Sequence, residues 1–403
     1  MLFEIYGAGF GNKGAQLMLY TTVERLRLYD SSIEFAIVPK PGEKYQDYAD
    51  LKLATLFPNI MLYPDWTHRY LYRSSLLRHV VMWPLSILLP NKAAQTLGLV
   101  KREHCDGLID ISGYAYGDGF PTARTKQMLS IIRGYRRRKK PVIVLPQMFG
   151  PFNNSNTASA FVECMKLVDQ VYARDQISFE CAQNLLGHDV NLELAPDITI
   201  FSANGPVLGV EGSKRYGCIV PNERMLDQGK AEWKGNYIAK LKAVAETFRA
   251  RQLKTVFVVH STDPGDAKVV NSLIEQLKID LGTEWVDVFV HENSKHIKSY
   301  IANSEVLVGS RFHSIVSALS SGVPSVVLGW AHKYDSIALD FNIPELIHKG
   351  SESIDQLIGV VDAVCDPVTN QIYREKILSS KSRMEDINEC MWSKVINCLL
   401  KNR

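Results

Sequence analysis

Short apolar runs alternate along this chain with longer segments whose apolar residues recur at helical spacing. Leu2–Tyr6, Ile33–Val38, Gly107–Ile111, Pro141–Leu145 and Gln170–Ala173 read as buried strands, mostly β-branched and bounded by Gly, Pro or charge. Between them, Lys13–Leu28, Thr122–Arg138 and Ile177–Leu186 read as helices. Such alternation predicts a parallel sheet with helices on both faces. Turn-forming residues then break the rhythm over Ser202–Gly217. A second block follows, with strands expected at Cys218–Val220, Thr255–Val259, Val286–Val290, Val306–Val308 and Ser325–Leu328. Its helices are expected at Lys230–Arg249, Ala267–Leu281, Ser294–Ile301, His313–Ser321 and Ile354–Val364. Ile377, Met384, Ile387, Met391, Val395 and Leu399 then repeat at helical spacing, as one or two closing helices. The pattern predicts an α/β protein of two Rossmann-like domains facing a central cleft. The first spans 1–203, a linker 204–217 and the second 218–368, with a helical segment over 369–403 packing back on the body. Open parallel sheets bind ligands beyond the C-terminal ends of their strands, so the chemistry is sought there.

The length of 403 residues agrees with two domains rather than one core. Lys plus Arg number 46 against 43 Asp plus Glu, which excludes a strongly basic nucleic-acid coat, and no nucleic-acid partner is expected. Seven scattered cysteines without a CxxC pair argue against a disulfide scaffold or zinc site and for a reducing compartment. The N-terminus reads as a strand rather than a signal peptide, so a cytoplasmic location is expected. One segment qualifies this. Over Arg69–Leu89, Arg69, Arg73 and Arg78 interleave with a dense apolar set that includes Trp83 and Leu85. It is too short and Pro84-broken to span a bilayer. It reads either as buried core helix or as a surface resting peripherally on the inner face of the membrane. The basic run Arg136–Lys140, otherwise a solvated helix end, would add to such a surface.

Gly7-Ala8-Gly9-Phe10-Gly11-Asn12-Lys13-Gly14 follows the first strand and opens the first helix. Its free backbone N–H groups suit an anion or a ligand-facing loop, or its glycines let helix and strand pack closely. No acidic residue ends the second strand, so the dinucleotide reading is weak, and the spacing to Lys13 excludes a P-loop. Val306-Leu307-Val308-Gly309-Ser310-Arg311-Phe312-His313-Ser314 says more. An apolar strand ends, an Arg and a His follow, and a helix starts at once. Guanidinium, imidazole and a helix start converge at one corner, where the guanidinium can fork onto phosphate or carboxylate. The plainer alternative ties Arg311 to a neighbouring acid and makes His313 a helix cap. Arg174 and Asp175 lie at another strand end, either as a second anion site or as a local pair capping a helix. Asp197, His260 and Lys333 also lie just past expected strands. No HExxH, DxD or clustered His/Asp set points to a metal.

Together these corners resemble the polysaccharide pyruvyl transferase family over most of the chain. The sharpest piece is Gly309-Ser310-Arg311-Phe312-His313, then Ala318-Leu319-Ser320-Ser321-Gly322-Val323-Pro324, then Lys333. Gly11-Asn12 with Gly14, Pro146-Gln147 with Gly150-Pro151-Phe152, Arg174-Asp175 with Ser178, and Pro196-Asp197 also match. Two departures border the N-terminal half of the cleft. Gly14-Ala15-Gln16 stands where the family often has Gly-Asp-Glu, and Ser112-Gly113-Tyr114 replaces a glycine triplet.

The resemblance implies a fold similar to the GT-B glycosyltransferases. It also implies transfer of pyruvate from phosphoenolpyruvate, a co-substrate rather than a cofactor, onto two hydroxyls of a saccharide in surface-polysaccharide synthesis. No metal or other cofactor is implied. Ser310, Arg311, Phe312, His313, Arg174 and Lys333 would hold phosphoenolpyruvate, with His313 as general acid toward its methylene carbon. Asp110 or Asp197, with Asp118 equally placed, would activate the acceptor. Gly11, Asn12, Lys13, Gly14, Gln147 and His260 would form the acceptor side or its loop. A lipid-linked acceptor would give the 69–89 segment a purpose. Two other readings compete: a GT-B-type nucleotide-sugar glycosyltransferase or sugar epimerase, and a non-catalytic sugar or anion binder. Lys333 stands where the former often carry an acidic pair for the donor ribose.

Overall fold

The computed structural model describes residues 1–40, 43–57, 98–206, 215–227, 231–261 and 264–400. The 69–89 segment and most of the expected linker lie outside the described residues. The first sheet contains β1 (Leu2–Tyr6), β2 (Glu34–Ile37), β3 (Leu53–Phe57), β4 (Leu99–Lys101), β5 (Gly107–Asp110), β6 (Tyr114–Tyr116), β7 (Val142–Phe149), β8 (Gln170–Ala173) and β9 (Leu192–Leu194). Its order is β4-β3-β2-β1-β5-β7-β8-β9, with β6 paired to β7 off this path. The second sheet contains β10 (Tyr216–Val220), β11 (Lys254–Val259), β12 (Val286–Val290), β13 (Val306–Gly309), β14 (Ser325–Leu328) and β15 (Ile347–His348). Its order is β12-β11-β10-β13-β14-β15, the 3-2-1-4-5-6 arrangement of a doubly wound nucleotide-binding sheet. Every pairing that joins these strands is parallel, from β1 with β2 to β14 with β15.

Parallel strands need crossovers, and helices supply them. In the first half these include α1 (Lys13–Tyr29), α2 (Thr122–Arg137), α3 (Ser155–Met165) and α4 (Gln176–Leu186). In the second they include α5 (Tyr237–Ala250), α6 (Pro264–Leu281), α7 (Ser294–Ala302), α8 (Phe312–Leu319), α9 (His332–Asp340) and α10 (Ile354–Cys365). The expected continuous helix over 230–249 is divided: Ala231–Lys234 and α5 are separated at Gly235-Asn236, where Asn236 turns its amide to the Gly350 carbonyl. One face of the first sheet packs Phe3, Ile5 and Phe35 against Leu19 and Val23 of α1. The other packs Leu108, Val142 and Val144 against Ile132 of α2 and Phe161 of α3. The second sheet has its own core around Ile219, Phe257 and Val308. The last helix, α11 (Pro367–Leu400), belongs to both halves. Ile377 sits in the second core, while Met391, Trp392, Val395 and Leu399 sit in the first.

In each sheet the strand order reverses beside the central strand, at β1/β5 and at β10/β13. Loops diverge at such points and leave a crevice beyond the strands' C-terminal ends. The loops after β1, β8, β11, β13 and β14 carry most of the residues singled out in the sequence.

Candidate active site between the two sheets

β13 ends at Gly309, and α8 starts at Phe312 with Arg311 as its N-cap residue. This tight corner sends Phe312 and His313 toward the first half. Arg174, immediately after β8, lays its guanidinium over the Phe312 ring at 4.2 Å. Its Nη1 donates to Asp197 Oδ2 at 3.4 Å, and its Nε lies 3.9 Å from Asp175 Oδ2. Asp175 is otherwise the cap of α4, accepting from the Ser178 N–H and hydroxyl at 2.8 and 2.9 Å. Asp197 caps the short 3-10 turn Ile198–Phe201, its Oδ1 accepting from Thr199 N and Oγ1 at 2.9 and 2.7 Å. Its Oδ2 lies 3.8 Å from His313 Nε2, too far for a hydrogen bond. The structure therefore gathers Arg174, Asp197 and the adjacent pair Phe312-His313 from three separate strand ends into one contact group.

The electrostatics of this group follow from burial. Burial pushes the Asp197 carboxyl up, but His313, Arg174 and the Thr199 hydrogen bonds together bring it below the ordinary aspartate value. Burial takes His313 down to about 4, against the opposing pull of Asp197 and with help from Arg174 and Lys333. The resting imidazole is therefore neutral at pH 7. A general-acid role has to be acquired from a bound anion, which would raise its proton affinity. His313 keeps 18 % of its side chain exposed, and its Nε2 has no hydrogen-bond partner in the structure.

Lys333, at the start of α9, places Nζ 5.1 Å from the Trp330 ring, 5.2 Å from Tyr334 and 5.8 Å from Phe312. Beside it stands His332, which sequence reasoning passed over. Its Nε2 is buried without a hydrogen-bond partner, and burial, Arg174 and Lys333 together depress its proton affinity against Asp175 and Asp335. Its adjacency to Lys333 past β14 was the available signal. Asp266 was also missed. It is fully buried near the start of α6 and receives Arg311 in a two-pronged ion pair, with Nε to Oδ2 at 2.8 Å. Arg311 is thus committed to a carboxylate of its own half, the plainer of its two readings. Ser310 is likewise structural: its hydroxyl bonds the Tyr237 hydroxyl at 2.6 Å, and its carbonyl accepts from Asn222 and Tyr334.

The first-loop residues reach this corner from the other side. Asn12 caps α1 by accepting from Gly14 N at 2.9 Å and bridges to Ser261 across the halves. Lys13 donates Nζ to the Glu292 carbonyl, and Gln16 accepts from Ser294 N at 2.9 Å. Gly14 backs directly onto the His313 imidazole, where any side chain would overlap the ring. Gly11 and Asn12, with Lys13, line a separate cavity of about 430 Å³ bounded by Lys40, Lys44 and Glu292. His260 is buried, and burial with the charges of His313, Arg311 and Lys13 holds it down at about 3.

Asp110 does not join the group. Its Oδ1 accepts from Ser112 N and Oγ, and its Oδ2 from the Tyr116 hydroxyl, so it braces the loop after β5. Burial raises its proton affinity, but its oxygens are spoken for within that loop. Asp118 holds the backbone of Asn153 and Asn154. Gln147 is fully buried: its amide reaches the Asp110 carbonyl at 3.4 Å, its backbone carbonyl accepts from Arg174 N, and its Oε1 has no partner. Among the described residues, no group of three His, Cys, Asp or Glu could hold a metal ion, and no helix is long and apolar enough to cross a membrane. What the arrangement offers is a proton-transfer imidazole flanked by cations on an aromatic floor, suited to a small, densely charged anion.

A family model described as polysaccharide pyruvyl transferase matches residues 12–332. No curated protein matches the sequence. Among solved structures, the chain is similar to the UDP-GlcNAc 2-epimerase of Neisseria meningitidis bound to UDP-GlcNAc, at TM-score 0.60 and 11% identity, covering 99% of each chain. It is also similar to the UDP-GlcNAc 2-epimerase of Methanocaldococcus jannaschii, at TM-score 0.57 and 11% identity over 91% of this chain and 93% of that one. The Anabaena protein HepE, in complex with UDP and glucose, gives TM-score 0.57 and 14% identity over 98% of each chain. These likenesses establish a GT-B-type fold of two doubly wound domains, and at such identities they establish the fold alone.

Proposed function

The chain belongs to the polysaccharide pyruvyl transferase family, and from that premise we propose that it moves pyruvate from phosphoenolpyruvate onto two hydroxyls of one saccharide as a cyclic ketal. The observation that carries the donor assignment is the convergence of Arg174, His313 and Lys333 around Phe312. Phosphoenolpyruvate bears a phosphate and a carboxylate on one carbon. Arg174 and Lys333 supply the positive charge for both, and Phe312 supports the planar enol. Arg311, paired through Nε and one Nη to Asp266, holds the corner from which Phe312 and His313 project.

In the first step a sugar hydroxyl adds across the C2–C3 double bond. The hydroxyl oxygen bonds to C2, and its proton ends on C3, which becomes the methyl group. Neutral His313 takes the hydroxyl proton and, as imidazolium, delivers one to C3. The adjacent phosphate and carboxylate stabilise that imidazolium, as does Asp197, which is too buried to meet the acceptor itself. In the second step the neighbouring hydroxyl bonds to C2, phosphate leaves with the C2–O bond pair, and the second hydroxyl's proton passes to the imidazole or the departing phosphate. Removing such an acid–base group costs ~10²–10⁴-fold in rate, so His313→Ala should fold normally and lose activity on that scale.

The test is calorimetric titration with phosphoenolpyruvate in chelator, beside a panel of nucleotide sugars, using wild type, Arg174→Ala and Lys333→Met. Saturable binding of phosphoenolpyruvate alone, lost in both variants, is the expected result. Binding of a nucleotide sugar in its place would overturn the donor assignment.

A further inference from the structure

Lys298 lies on α7 of the second half and is 1% exposed, yet it serves the first half. Its Nζ donates to the Thr199 carbonyl at 3.0 Å and to the Ser202 carbonyl at 2.8 Å. Thr199 lies within the 3-10 turn that Asp197 caps and Ser202 ends it, and Thr199 itself supplies both donors to Asp197 Oδ1. A continuous chain of contacts therefore runs from Lys298 through Thr199 to Asp197, and from there across the cleft to His313. We infer that Lys298 is a positioning residue, holding the Asp197-capped turn at the distance from which its carboxylate acts on the His313 imidazole.

Stability alone gives little reason for a lysine here, because burying an ammonium is costly and an apolar side chain would fill the same space. The charged groups around it are Asp197, which favours the charged amine, and Lys295 and Lys381, which oppose it. Lys295 is engaged with Glu24, and Lys381 donates to the Ser320 carbonyl, so neither replaces Lys298 at the turn. A neutral amine still carries two N–H groups, one for each carbonyl. The tether therefore outlasts loss of the lysine's proton, which fits a role in geometry rather than in charge.

The inference rests on the proposed reaction only in giving Asp197 and His313 chemical work; its test needs neither donor nor acceptor. Full-length protein labelled in histidine is titrated by NMR toward acid, with the His313 signal assigned by its loss in His313→Gln. Asp197→Asn gives the displacement expected when the carboxylate is removed. Lys298→Met, which loses both hydrogen bonds, should lower the proton affinity of His313 threefold or more, in the same direction as Asp197→Asn. Lys298→Gln, whose shorter amide reaches only one carbonyl, should give a smaller shift of the same sign. Loss of the lysine's charge alone would raise the proton affinity of His313, so the sign separates positioning from simple electrostatics. A His313 curve unchanged from wild type in Lys298→Met overturns the inference, even if the melting temperature falls. If Lys298→Met does not fold, an unchanged or upward-shifted curve in Lys298→Gln overturns it equally.

Discussion

A methyl group at Gly14 would overlap the His313 ring, so the glycine of the first loop and the histidine of α8 occupy one space between them. This makes a pairwise prediction. Gly14→Ala alone should lower the thermal midpoint and displace the imidazole, whereas Gly14→Ala in a His313→Ala background should cost much less. A double-mutant cycle read by thermal denaturation measures that coupling, and additive effects would sink the idea. The resemblance had placed Gly14 and His313 on opposite sides of the cleft; their contact crosses about three hundred residues of sequence and could not be read from either motif. Burial also sets a pH dependence. His260 and His313 titrate at about 3 and about 4 in the native protein, below the value of ~6.5 in an unfolded chain. Between those limits the unfolded state binds more protons, so stability falls as pH drops from about 6.5, less steeply below about 4, and levels off below about 3. His260→Gln should flatten that slope when urea midpoints are compared at pH 7 and pH 5, whatever it does to the absolute midpoint.

At the scale of elements, the corner from β13 to α8 shows how a motif can be legible while its members' roles are not. The apolar strand, the turn and the helix were evident in Val306–Ser314, and His313 does face the cleft. Arg311 offered two readings in the sequence, an anion ligand or a partner to an acid, and only folding selects Asp266 as that acid. Breaking a buried pair by removing one partner leaves an uncompensated charge and costs about 3–5 kcal/mol. Arg311→Ala should therefore lose stability on that scale, with Asp266→Asn in the same chain recovering part of it in chemical denaturation. Weak phosphoenolpyruvate binding by Arg311→Ala would then report a slackened corner, which is why Arg174 and Lys333 make the cleaner donor variants. Most of the legible strands, such as β7, β10 and β13, are buried on both faces and read as continuous apolar runs. The strands passed over were β3, β4, β6, β9 and β15. β4, β6, β9 and β15 run only two or three residues, and β4, β9 and β15 lie at sheet edges, where little apolar periodicity accumulates. α9 escaped for another reason: its role is to carry His332 and Lys333 over the cleft toward α4, which leaves Leu339 and Asp340 exposed and blurs its amphipathic face.

Over the whole molecule, two lobes joined through one short segment would ordinarily be expected to open and close around a ligand. The contacts between these halves argue for a smaller motion. Lys13 holds the Glu292 carbonyl, Lys44 pairs with Glu292, Gln16 receives Ser294, Lys295 pairs with Glu24, and Lys298 clamps the turn after Asp197. α11 adds a second tie at the far side, sharing its length between the two cores. A hinge would have to exchange the buried hydrogen bonds of Lys13, Gln16 and Lys298 for water, at a net cost of about 0.5–3 kcal/mol each, the charged lysines at the upper end. That cost is comparable to the free energy a small anion can contribute by binding one state better than another. The site is thus assembled before its ligand arrives, with Arg174 and Phe312 already stacked across the cleft. Small-angle scattering tests this directly. A compact chain of this length has a radius of gyration of roughly 21 Å, and saturation with phosphoenolpyruvate should change the measured value by less than about 0.5 Å. A contraction well beyond that would mean that the ties between α1 and α7 yield on binding. Arg174, His313 and Lys333 would then meet the donor in an arrangement tighter than the one seen here.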